Sequence, residues 1–202
     1  MFTLMIAFGD IFGLGGSSAI SRLLGEKKDN EAKKTCAFCI WISLVFGLCI
    51  SAILLLFRTQ ILGLLGVGKD TYQYANAYYT WIAIGAVSII FSMVPSNILR
   101  TEGLAVQSMA GSIIGSIVNI IFDPIFIFGL NQGAAGAAMA TVLGNIIADI
   151  YYVYAVVKKS KRLTCSPSHM KVTGRRIRDI LMIGIPASIT NIMQTFMMVM
   201  TN

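Results

Sequence analysis

Two series of polar residues interrupt an otherwise apolar chain at a spacing suited to binding a cation. Gly111, Gly115, Asn119 and Asp123 follow one another at four-residue steps, which lines them along one face of an α-helix. Asn119 and Asp123 then present an amide oxygen and a carboxylate one turn apart, hard donors for a small cation or a resting place for a proton. Pro124 comes next, and a proline removes a backbone hydrogen bond and tends to kink the helix or free a carbonyl nearby. The second series, Thr141, Asn145 and Asp149, repeats the spacing. Only residues 131–133 separate the two apolar runs, so the stripes can face each other across a short hairpin. A third carboxylate, Asp10, lies near the middle of the first apolar run. Ionisable groups in hydrocarbon are costly and usually face the interior of a bundle, which makes them functional candidates. Asn119 and Asp123 are the candidate cation- or proton-binding residues, Thr141 is the member of the second stripe placed to meet Asp123 across the hairpin, and Asp10, Asn145 and Asp149 are secondary polar sites.

Other features have plainer readings. Small residues four apart, as in Gly9/Gly13, Gly111/Gly115 and Ala140/Gly144, are the ordinary means by which membrane helices approach closely. Cys36 and Cys39 form a Cys-x2-Cys pair that Cys165 and His169 would extend to a zinc-type ligand set. Set among apolar residues, these thiols read instead as small packing groups, and no disulfide is expected. Met193, Met197 and Met200 form a stripe suited to packing or to a lipid face, and Tyr72, Tyr74, Tyr78, Tyr79 and Trp81 form an interfacial belt. His-Glu-x-x-His, Gly-x-Ser-x-Gly and the phosphate-binding Gly-x4-Gly-Lys-Ser/Thr loop are all missing. An enzyme is therefore not expected, and neither is a cofactor beyond a coupling ion.

These side chains need a scaffold, and composition says which. With 202 residues, 56% hydrophobic and 12% charged, the chain is far more apolar than a soluble domain, which is about 45–50% apolar and about 25% charged. Its mean hydropathy of +0.76 excludes disorder and coiled coil. The expected fold is an all-α membrane protein, a polytopic helical bundle of six spans at 1–21, 35–57, 74–99, 107–130, 134–157 and 180–202. No run alternates with period two, which argues against a β-barrel.

Lysine and arginine set the orientation, since positive loops stay in the cytoplasm. Arg22, Lys27, Lys28, Lys33, Lys34, Arg100, Lys158, Lys159, Lys161, Arg162, Lys171, Arg175, Arg176 and Arg178 fall on one side, and only Arg58 and Lys69 on the other. The net charge of +7 thus reports topology and attraction to anionic lipid rather than nucleic-acid binding. Residues 1–21 lack a basic leader and a cleavage site, so they read as a span and not a signal peptide. With both ends outside and six spans, the chain reads as a piece of something longer.

The motifs together resemble the multidrug and toxic compound extrusion (MATE) transporters. The resemblance rests on Gly15-Gly16-Ser17-Ser18, Ile20-Ser21-Arg22-Leu23-Leu24-Gly25, Arg100-Thr101-Glu102-Gly103, Asn119 with Asp123-Pro124-Ile125-Phe126, and Gly133-Ala134-Ala135-Gly136-Ala137-Ala138. It implies two six-span lobes, of which residues 1–157 are similar to spans two to six of the first. Residues 158–179 then correspond to the basic cytoplasmic loop between lobes, and 180–202, with Gly184-Ile185-Pro186, to the first span of the second lobe. It also implies Na+- or H+-coupled antiport of drugs or organic cations across the cytoplasmic membrane. The family's first-lobe cation site would fall on Asn119, Asp123 and Thr141, and another family carboxylate would lie on a span before Met1. The expected partners are the lipid bilayer, a small organic cation and the remainder of the transporter. A lipid-linked saccharide flippase of the same superfamily would need a cationic cavity, which these spans lack; an inert fragment would give no ion-dependent flux.

Overall fold

A computed structural model describes residues 2–64, 68, 71–160, 162–166 and 173–200. Lys69, Lys161, His169 and Lys171, which enter the charge and zinc readings above, lie outside the described residues, as does the side chain of Met200. Every described element is helical: α1 (Phe2–Gly25), α2 (Asp29–Leu56), a short α3 (Arg58–Leu64), α4 (Tyr72–Thr101), α5 (Ala105–Pro124), α6 (Gly133–Lys159) and α7 (Gly174–Met200). Five of them, α1, α2, α4, α5 with its continuation, and α6, are long and apolar enough to cross a membrane. The sixth expected span falls within α7, whose first turns carry Arg175, Arg176 and Arg178.

From α2 onward the long helices begin before the apolar runs do. α2 starts at Asp29 rather than 35, because a helix needs backbone hydrogen bonds and not apolarity to continue into a polar zone, and Asp29 and Glu31 favour its N-terminal dipole. The connections are accordingly tight. Between α4 and α5, Leu104 N–H reaches back to Leu99 C=O at 2.9 Å, which requires a left-handed residue at Gly103 (φ +83). Lys27 (φ 56) does the same between α1 and α2, with Lys28 N–H donating to Leu23 C=O at 2.9 Å.

In space α7, α1, α4, α6 and α5 follow one another in a row, and α2 fills the groove between α1 and α4. Phe12, Ile20, Leu23, Cys36, Cys39, Ile40, Val94, Ile98 and Ile180 form the core where α1, α2, α4 and α7 meet. Since lipid tails are as apolar as leucine, close packing rather than water exclusion holds such a core. Outward-facing Val45, Leu48, Ile53, Ile113, Ile117 and Ile150 are exposed, as a hydrocarbon solvent allows. The segment after α6 is held at the basic end: Trp41 Nε1 donates to Cys165 C=O at 3.0 Å, and Arg162 N–H to Glu102 Oε1 at 2.9 Å.

Candidate functional site

The α5–α6 hairpin builds the site. Gly115 and Gly144 bring the two backbones together, since a Cβ on Gly144 would sit 2.7 Å from Gly115 C=O. One turn along, this approach seats Asn119 against Thr141. The donors and acceptors around the Asn119 amide fix its orientation. Its Nδ2 donates to Asp123 Oδ2 at 3.0 Å while the amide oxygen accepts from Thr141 N–H (3.1 Å) and hydroxyl (3.2 Å). The Thr141 hydroxyl also lies 2.9 Å from Ala137 C=O. Asp123 Oδ1 is buried with no partner among the described residues.

Three of the sequence candidates are thus brought together as Asn119, Asp123 and Thr141. Asn145 stands beside them, donating from Nδ2 to Thr141 C=O at 2.8 Å. Asp149 does not join them. Steps of four residues drift by about 40° each on a 3.6-residue helix, so Asp149 is turned about 80° from Thr141. It faces α4, where Ser88 Oγ donates to its Oδ2. Asp10 is also elsewhere, buried on α1 and accepting from Asn191 Nδ2 of α7 at 2.7 Å.

Beneath the Asn119 cluster lies a cavity of about 380 Å3 between α4, α5 and α6, whose polar wall includes Ser92, Ser112, Ser116, Asn119, Thr141, Asn145 and Tyr152. Polar contacts continue from it to the basic end of the bundle. Ser112 Oγ and Tyr152 Oη share a hydrogen bond of 2.8 Å, Ser96 and Ser108 share one of 3.0 Å, and Arg100 Nε donates to Ser108 Oγ at 3.0 Å. From Ser108 to Asp123 this column climbs about 22 Å at 1.5 Å per residue. The serines were not singled out from the sequence, although Ser88, Ser92 and Ser96 and then Ser108, Ser112 and Ser116 repeat every four residues.

The groups gathered here are a carboxylate, an amide and a hydroxyl, all hard oxygen donors. No group of three His, Cys, Asp or Glu is gathered among the described residues. Cys36 and Cys39 are packed in the core, Cys165 lies at its edge, and all are free thiols. His169, the remaining member of that candidate set, lies outside the described residues.

Residues 1–125 match the MatE family. The chain is 36% identical over 187 residues to the multidrug export protein MepA of Staphylococcus haemolyticus, covering 93% of this chain and 41% of that protein. It is 30% identical over 196 residues to MepA of Staphylococcus aureus, covering 97% and 44%. Among solved structures it superposes on the outward-facing conformation of a multidrug resistance MATE family transporter of the MOP superfamily, with TM-score 0.90, 30% identity, and 98% of this chain and 44% of that one covered. On an inward-facing conformation the TM-score is 0.88 at 30% identity, with 94% and 43% covered. The chain spans about two-fifths of the length of these curated relatives.

Proposed function

The chain belongs to the MatE family, and from that premise we propose that it forms part of an antiporter that exports drugs or organic cations in exchange for Na+ or H+. Asn119, Asp123 and Thr141 take the coupling ion. The observation that carries this reading is the hydrogen-bonded cluster itself: two helices pinned together at Gly115 and Gly144 hold a carboxylate with one orphan oxygen beside an amide and a hydroxyl. When a proton or Na+ occupies Asp123 a buried negative charge is neutralised. A ligand shifts a conformational equilibrium only through such a difference in interaction between states. The described segment moves as one body in this scheme, supported by the near-equal fit of 98% and 94% of the chain to outward- and inward-facing relatives. The alternation then occurs against the rest of the transporter. The basic loops lie in the cytoplasm, in keeping with the excess of lysine and arginine on that side, and the membrane is the bacterial cytoplasmic membrane.

The test is substrate efflux from proteoliposomes under an imposed Na+ or proton gradient. Asp123→Asn is expected to abolish gradient-driven efflux of an organic cation while leaving the protein folded. Efflux and ion dependence unchanged in that variant would overturn the assignment.

A further inference from the structure

Asp149, which the hairpin turns away from the Asn119 cluster, has a cavity of its own. About 380 Å3 in volume, it opens between α2, α4 and α6, and its walls are apolar except at Ser88 and Asp149. Gly85 lets α4 pack closely on α6 beside the slot, since a Cβ there would run into Val142. At the rim stand Ile84, Ile146 and Ile150, exposed by 45%, 42% and 65%, so the mouth opens on an apolar outer face and not on the polar column. Inside, Asp149 Oδ2 accepts from Ser88 Oγ, while Oδ1 is buried with no hydrogen-bond partner among the described residues.

Depth decides what could fill it. Asp149 lies ten residues before Lys159, hence about 15 Å from the basic end of α6, near the middle of the hydrocarbon. Lipid head groups gather at the level of Lys158 and Lys159, so a lipid amine does not reach the carboxylate. A small metal cation fits no better, because one carboxylate and one hydroxyl replace too little of its hydration shell. What fits is a cation already soluble in hydrocarbon: a delocalised charge on a flat or globular apolar body. We propose that this slot is a second binding site, which takes a lipophilic organic cation laterally from the bilayer, with the Asp149 carboxylate as its counter-ion. Ser88 holds the carboxylate in place, and the isoleucine rim contacts the body of the ligand. The site stands independently of the Asn119 cluster, since the two share no lining residue.

An azido derivative of tetraphenylphosphonium tests this directly. The purified protein in phosphatidylcholine nanodiscs is photolabelled, and the labelled peptides are mapped by mass spectrometry, with tetraphenylphosphonium as competitor. Labelling is expected on the α4 and α6 segments around Ser88 and Ile146, falling about tenfold in Asp149→Asn, equivalent to one decade in affinity, and persisting in Asp149→Glu. Filling the mouth with Ile146→Trp or, should that variant misfold, Ile84→Trp is expected to abolish it. Ile117→Trp on the exposed face of α5 is the control and leaves it unchanged. Label confined to other helices, or label at α4 and α6 that Asp149→Asn does not reduce, would overturn the proposal. Neither result depends on whether Asp123 couples transport, which the efflux assay reads separately.

Discussion

Asn191 Nδ2 of α7 donates to Asp10 Oδ2 of α1 at 2.7 Å, inside an interface where Gly15 and Gly184 let the two backbones touch. A Cβ on Gly184 would strike the carbonyl of Ile11, and one on Gly15 the carbonyl of Ile180. A buried carboxylate is thus the polar pin of a close-packed pair. Asn191→Leu removes the amide and leaves Asp10 short of a partner, which is expected to cost about 1–3 kcal/mol. Asp10→Asn in the same background should recover part of that loss, because a neutral amide is cheaper to leave underbonded. Thermal unfolding of the two single variants and the double variant gives the coupling; additive losses would separate the two residues.

Gly144 carries a sign that propensity alone would get wrong. An alanine in place of a mid-helix glycine gains about 1 kcal/mol from backbone entropy. Here its Cβ would stand 2.7 Å from the carbonyl of Gly115, a backbone atom that cannot rotate aside. Gly144→Ala is therefore expected to destabilise by about 1–3 kcal/mol, as overpacking does. By prising α5 from α6 it should also weaken the Asn119–Thr141 contact and slow gradient-driven efflux. A melting temperature equal to or above wild type would show that the hairpin is looser than its geometry.

How much of this was legible in advance depends on the kind of signal. The Asn119–Thr141 pairing could be read because both stripes lie on strongly apolar helices joined by a very short turn. Asp149 could not be placed by the same rule, since the four-residue step accumulates a rotation that only the packing of α4 against α6 resolves. The serines were silent for a different reason: in helices their hydroxyls commonly bond back to their own turn, as Ser43 does to Ile40 C=O and Ser92 to Ile89 C=O, both at 2.9 Å. Nothing in a serine's spacing distinguishes those from Ser112, which reaches Tyr152. α3 falls between two expected spans, and its seven residues, Arg58–Leu64, are too few to carry a periodic pattern.

Thr141 separates a packing role from a ligand role. Thr141→Ser keeps the hydroxyl that meets Asn119 and Ala137, whereas Thr141→Val keeps the shape and loses it. If the hydroxyl serves the coupling ion, Ser should retain efflux and Val should reduce it about tenfold, about 1.4 kcal/mol of transition-state or binding energy. Equal efflux in both variants would reduce Thr141 to a helix spacer.

Cys165 gives a pH-dependent readout of how the segment after α6 is seated. Burial pushes its thiol up to about 11, and its carbonyl is held by Trp41 at 3.0 Å. The raised value means the neutral thiol persists through physiological pH, and the reactive thiolate grows about tenfold per pH unit until the titration is reached. In a variant retaining Cys165 as its sole cysteine, alkylation by iodoacetamide should be slow at pH 7.5 and climb steadily to pH 10. Trp41→Phe removes the indole donor and frees the segment, so the thiol should become better solvated and the rate at pH 7.5 should rise. A rate at pH 7.5 already equal to that of a free thiol of ordinary acidity would mean that the segment does not dock against α2.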